Sequence, residues 1–207
     1  ERTAANVAAS SNVGTRTRLG EVIETSTVGF TAESDQLHSL PELGALVRVG
    51  GLSERISYYG VVAFGATGGL DTSRKAVRRG GHDLMDEAIY ERHPELELVL
   101  RTLFSVAVVG YQDGFTPRHV LPALPAPLHY TVHACDAADT VTFCDTPRYL
   151  STLLNYHGDV PAEQLVASHL RWVDEQLADN HAWLAATTRR LARLMKRDYD
   201  RLVTGLQ

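Results

Sequence analysis

Apolar and polar positions alternate along "RLGEVIETSTVGFTAE" (residues 18–33), and the segment is rich in β-branched side chains. That pattern predicts one half-buried strand. "GALVRVGG" (44–51) and "ISYYGVVAFGA" (56–66) read the same way, separated by Gly, Pro and Ser signals. Three short strands so close together point to a barrel or a sandwich. The period then changes. In "GGHDLMDEAIYERHPELELVLRTLF" (80–104), Leu84, Ala88 and Ile89 share a helical face, and Pro94 opens a second helix carrying Leu96, Val99 and Leu100. Strand character returns in "FSVAVVGYQDG" from Phe104 and in "PLHYTVHAC" from Pro127; the intervening "LPALPAP" is too proline-rich for a central strand.

From Thr146 onward the spacing is helical. Thr146 and Pro147 form an N-cap and first turn, Leu150, Leu153 and Leu154 an apolar face, and Gly158 the stop. "VPAEQLVASHLRWVDEQL" and the terminal helix beginning "HAWLAATTRRL" follow, continuous or broken at Asp179 and Asn180. In the terminal helix Leu184, Thr188, Leu191, Met195, Leu202 and Leu206 form the apolar stripe. The order predicts an α+β fold: strands first, one helical pair inserted among them, helices last.

Composition adds bounds rather than identity. The 207 residues, 44% apolar and 22% charged, are enough for a core without staples. Acidic residues outnumber basic ones 25 to 20, so the net charge of -5 exerts no global pull on nucleic acid, and any such contact needs a local patch. Cys135 and Cys144 are spaced too widely for a CxxC motif. No apolar run is long enough to span a bilayer, and "ERTAANVAASSNVGTRTR" lacks a signal-peptide core, which predicts a cytoplasmic protein without membrane contact. Residues 1–17 offer little apolar surface and read as a flexible tail.

Candidate chemistry is sparse. Gly65, Gly68 and Gly69 suggest a phosphate cradle, but Leu70 and Asp71 stand where a P-loop needs Lys and Ser/Thr, so a barrel corner is the simpler reading. His129, His133 and Cys135 would share one face of a strand and form the tightest candidate metal set, the basis of a metal-dependent enzyme reading. Against it, no fourth ligand is spaced to complete the set. Cys144, just before the helix expected at Thr146, is the one candidate nucleophile. Glu21 and Glu24 carry nothing that marks an acid/base pair. Two basic segments are candidates for phosphate contact. Residues 74–79 hold Arg74, Lys75, Arg78 and Arg79; residues 189–201 hold Arg189, Arg193 and Arg197, where Asp198 and Asp200 dilute the charge. A solvated loop and a salt-bridged helix face are the simpler accounts of the two segments.

Taken together, "LGEVIETSTVGFTAES", "GALVRV", "YGVVAFGATGGLD", "HPELELVLRTLFSVAVVGY", "LPALPAPLHYTVHAC" and "DYDRL" resemble the HAS-barrel proteins, named for the barrel shared by HerA helicases and ATP synthase subunits. The order from Leu19 to Leu206 is most similar to a stand-alone bacterial group with a barrel and a helical tail. The resemblance implies a small closed β-barrel at 18–145 with a helical insertion, followed by a helical region at 146–207. In the relatives a RecA-like ATPase follows the barrel, whereas here no Walker motif does, so ATP chemistry is not carried over and no cofactor is expected. The expectation is a non-enzymatic accessory module docking on a protein partner, a HerA/FtsK-type ATPase in DNA processing being the one the resemblance implies. Homo-oligomers are also implied by ring-forming relatives. The alternative is a direct nucleic-acid-binding protein using the two basic segments.

Overall fold

A computed structural model describes residues 16–70, 75–177 and 182–193. Its strands are β1 (Arg18–Thr25), β2 (Gly29–Ser34), β3 (Leu46–Gly50), β4 (Ile56–Gly69), β5 (Leu100–Asp113), β6 (Thr116–Arg118) and β7 (Thr131–Ala134). Antiparallel pairing runs β2–β1–β7–β3–β4–β5 and closes through β2–β5, with β6 added to β5. The result is a closed six-stranded barrel with one further strand. Helices α1 (Glu87–Arg92) and α2 (Leu96–Val99) are inserted between β4 and β5. Helices α3 (Ala137–Cys144), α4 (Leu150–Leu154) and α5 (Ala162–Gln176) follow the barrel, and residues 182–193 are helical. The chain is thus α+β, with the inserted pair between β4 and β5 and helices after the barrel, as the hydrophobic pattern predicts.

Two cores explain the pattern. Val22, Phe30, Val47, Val49, Val62, Phe104, Val106 and Val132 fill the barrel. Leu46, Tyr59, Val61, Ala63, Ala107 and Val109 point outward and are sealed by Phe143, Tyr149, Leu150, Leu153, Leu165 and Val173 of the helical layer. Strands β3, β4 and β5 are therefore buried on both faces, which is why "VVAF" and "VAVV" read as continuous apolar runs rather than as alternation.

Several local expectations change. Residues 18–33 form a hairpin rather than one strand. The Ser26 hydroxyl accepts from the Val28 and Gly29 amides and donates to the Gly29 carbonyl, a side-chain turn hidden inside a β-branched run. Gly29 is required there, because a Cβ would lie 2.7 Å from the Val106 carbonyl oxygen. The run at Gly65–Gly69 is no barrel corner. It continues β4 alongside β5, as Gly65 pairs with Phe104 and Gly69 with Leu100. Leu100 accordingly opens a strand instead of closing a helix, and Leu84 bridges to Gly81 ahead of α1.

Helix α3 is not visible in the apolar periodicity. Its signal is polar: Asp136 caps it by accepting from the Asp139 amide at 2.8 Å. Thr146 makes no side-chain cap, and Pro147–Tyr149 form a 3-10 turn leading into a short α4 that ends at Asn155. The helical layer therefore begins at Ala137, ahead of the expected boundary at 146. In residues 182–193, Leu191 and Thr187 are buried while Thr188 is exposed; Met195, Leu202, Leu206 and the expected break at Asp179 and Asn180 lie outside the described residues. Among the described residues no helix is long and apolar enough to cross a membrane.

Arg16 and Thr17, expected in the tail, are tied to the barrel. The Thr17 carbonyl accepts from the Ala134 amide, and the Arg16 guanidinium pairs with Asp139. Residues 1–15 lie outside the described residues. Deletion through Thr17 is therefore expected to cost about 1–2 kcal/mol, the worth of a partly buried charge-assisted pair, read as a fall of several degrees in melting temperature. An unchanged melting temperature would show that the pair contributes nothing.

Candidate docking surface

Three buried titratable groups, Asp139, Tyr59 and His169, hold the layers of the molecule together. Asp139 on α3 accepts from Arg16 at 3.1 and 3.3 Å and from Arg48 of β3 at 3.0 Å. Arg48 also donates to Ser57 at 2.7 Å and lies over the Tyr59 ring. Tyr59, its phenol pushed up mainly by burial, donates to Gln112 at 2.9 Å, and Gln112 donates in turn to the Gly114 carbonyl at 2.8 Å. This chain runs from the helical layer through the barrel wall to the turn between β5 and β6. A second link joins α5 to the start of β3. His169 Nδ1 donates to the Gly44 carbonyl at 2.7 Å, which leaves Nε2 to accept from the Tyr149 hydroxyl at 2.9 Å. Burial lowers the His169 pKa to about 4, so the ring is neutral.

The candidate metal residues do not converge. β7 spans only Thr131–Ala134, so strand alternation does not extend to His129 or Cys135. His129 precedes the strand in the left-handed region (φ 64) and is exposed, with Nδ1 on Glu21 at 2.7 Å. His133 sits on β7 between Arg18 and Arg48 in register, and burial followed by Arg48 and Arg16 lowers its pKa. Cys135 turns into the helix-side core, and burial raises its thiol pKa. Among the described residues no group of three or more His, Cys, Asp or Glu side chains is placed to hold a metal ion.

Cys144 closes α3 just ahead of the turn at Pro147–Tyr149, and burial pushes its thiol up to about 12. Both cysteines are expected to resist iodoacetamide in the folded protein and to react after denaturation; alkylation of Cys144 under native conditions would contradict the packing. Lys75, Arg78 and Arg79 are exposed, as are Arg189 and Arg193, whereas Arg74, Arg197 and the rest of 189–201 beyond Arg193 lie outside the described residues.

Two apolar surfaces stand out instead. A groove of about 720 Å³ runs between the β1–β2 turn, β5 and the segment after α4. Val28, Val109, Leu121 and Leu153 line it, and Ser26, Asn155 and His157 give it hydrogen-bonding groups.

The second surface lies where two turns meet at the end of the barrel where β4 begins. Leu52, on the β3–β4 turn, is 83% exposed, and Phe115, on the two-residue turn between β5 and β6, is 96% exposed. Both turns are braced. Gly51 donates to Ile56 and Gly114 to Arg55, while the Arg55 guanidinium meets Asp113 at 3.2 Å. Gly114 takes φ 62, the left-handed conformation this tight turn needs. Gln112 anchors the same turn from within. A large apolar residue inside "GGLSE" and "DGFTP", where turns are otherwise small and polar, was a signal available in the sequence. Neither the protein-family models nor the curated protein sequences compared with this chain give a match.

Proposed function

We propose that this chain is a non-enzymatic docking module: a rigid barrel, sealed on one side by helices, that presents Leu52 and Phe115 to a protein partner. The observation that carries this is the nearly complete exposure of Phe115 on a turn held from both sides. An exposed ring carried on a braced backbone suits an interface anchor, because little backbone freedom remains to be lost on binding. Support also comes from the interior, where Asp139, Tyr59 and His169 are engaged in structural bonds and both thiols are raised away from reactivity. The partner class is a HerA/FtsK-type ATPase acting in DNA processing, on the strength of the sequence resemblance to HAS-barrel proteins.

Photo-crosslinking in the source cells tests this reading. A benzoyl-phenylalanine at position 52 or 115 is expected to give the same single adduct, absent when the probe replaces exposed Val141 on α3. Equal adducts from position 141, or none from 52 and 115, would count against it. A second reading, direct nucleic-acid binding, draws on the exposure of Lys75, Arg78 and Arg79. It requires a salt slope that flattens by roughly 0.9 for each lost duplex phosphate contact when these residues become Ala. With a net charge of -5, the expected outcome is no duplex binding at physiological salt for that slope to describe.

A further inference from the structure

β3 covers the outer edge of β4 only as far as Val62, where Val62 bonds to Ala45 and Gly44; beyond that point the chain of β3 has turned away. From Phe64 to Gly69, β4 hydrogen-bonds to β5 on one edge alone. Among the described residues nothing bonds to the other edge, and Gly65, Ala66, Thr67 and Gly68 are exposed. Sheet edges are usually blunted by Lys, Pro or a covering element, and none of those residue types lies between Phe64 and Leu70. Leu40, packed over Gly65, and Leu43 leave apolar surface beside this edge. At its Gly69 end lies a second cavity of about 410 Å³, walled by Leu70, Val77, Ile89 and Leu96, with Lys75 and Arg79 also lining it. Among the described residues neither cation lies within ion-pair distance of a carboxylate, although Arg79 also acts through space on Glu95, whose pKa is lowered first by its own backbone amide and in lesser part by this charge.

We infer that this edge takes an extended peptide segment of a partner protein as an added antiparallel strand, with an apolar anchor in the cavity and acidic residues at the peptide's N-terminal end. Six residues of strand extend about 20 Å, room for one added strand but a narrow strip beside the roughly 800 Å² per partner that a stable dimer buries. The edge therefore suits a linear segment better than a second rigid copy. Antiparallel addition brings the peptide's N-terminal end to Gly69, where Lys75 and Arg79 complement negative charge. Along the edge, alternate side chains of the peptide face Leu40 and Leu43, so every second residue is apolar.

The inference extends the docking reading to a second surface, and its test separates the two. The probe is a fluorescein-labelled peptide, Asp-Asp-Phe-Thr-Val-Thr-Val-Thr, titrated against the full chain by polarisation. Saturable binding is expected. N-methylation of one alternate set of its amides should weaken binding at least tenfold, while methylation of the other set should leave it within about twofold. Arg79→Glu should weaken it severalfold, and Leu52→Ser with Phe115→Ser should leave it unchanged. The proposal is overturned by the absence of saturable binding at millimolar probe, by equal sensitivity to both methylation sets, by tighter binding of the reversed sequence, or by self-association of the chain that the probe displaces. None of these outcomes bears on partner capture through Leu52 and Phe115.

Discussion

Replacing Asp139 with Ala should lower the unfolding free energy by about 3 kcal/mol. The carboxylate is the common acceptor of Arg16 and Arg48, and its loss leaves two guanidinium groups beside the helical layer without their counter-charge. Breaking a fully buried pair from one side costs roughly 3–5 kcal/mol. The lower end applies here because water still reaches the arginines, whose side chains are 32% and 19% exposed. Asp136 still caps α3 through the residue-139 amide, so the effect isolates the ion cluster from helix capping. Urea unfolding of the wild type and Asp139→Ala measures it. A loss below about 1 kcal/mol would mean that the cluster is too well solvated to matter.

Acid should destabilise the fold through His169. The ring is buried and neutral, with a pKa lowered from 6.5 to about 4, so below pH 6.5 the unfolded chain binds a proton that the folded chain refuses. Stability from this group is fully present above pH 6.5 and is lost as pH falls toward 4, since unfolding is favoured wherever the unfolded state holds more protons. A lowering from 6.5 to about 4 corresponds to about 3 kcal/mol. Protonation also gives Nε2 a hydrogen facing the Tyr149 hydroxyl, which has been donating to it. His119 and His133, lowered mainly by burial, act in the same direction. The difference between wild type and His169→Gln isolates the larger effect, because Gln can donate to Gly44 and accept from Tyr149 without titrating. Parallel stability curves for the two proteins between pH 7 and pH 4 would refute the assignment.

These two hubs show where reading the sequence stops. β3, β4 and α5 were legible because the apolar pattern of each is local, and the inserted helical pair because the period changes at Gly80. The β1–β2 hairpin was not, since Ser26 turns the chain through its own hydroxyl within a run of β-branched residues. Asp139 meets Arg16 across 123 residues, and His169 meets Gly44 across 125. No spacing rule connects such positions; only the closed barrel and the helices laid over it do. The metal set failed for a related reason. Alternation along β7 was extended past its ends, where His129 adopts a left-handed backbone and Cys135 enters the core. Leu52 and Phe115 stood in plain view among turn residues, but their exposure needed the barrel end to be built.

The claim that this barrel docks through its braced turns rests on two side chains, and one titration tests it. The crosslinked partner, purified, is titrated against the wild type and against the Leu52→Ser, Phe115→Ser variant, with melting temperatures taken on the same samples. Interface anchors contribute about 2 kcal/mol or more each, so the account predicts a loss of at least a hundredfold in affinity. Melting temperatures should agree within about two degrees, because neither side chain belongs to a core. Binding by the double variant within about threefold of wild type, with both proteins folded, would contradict it.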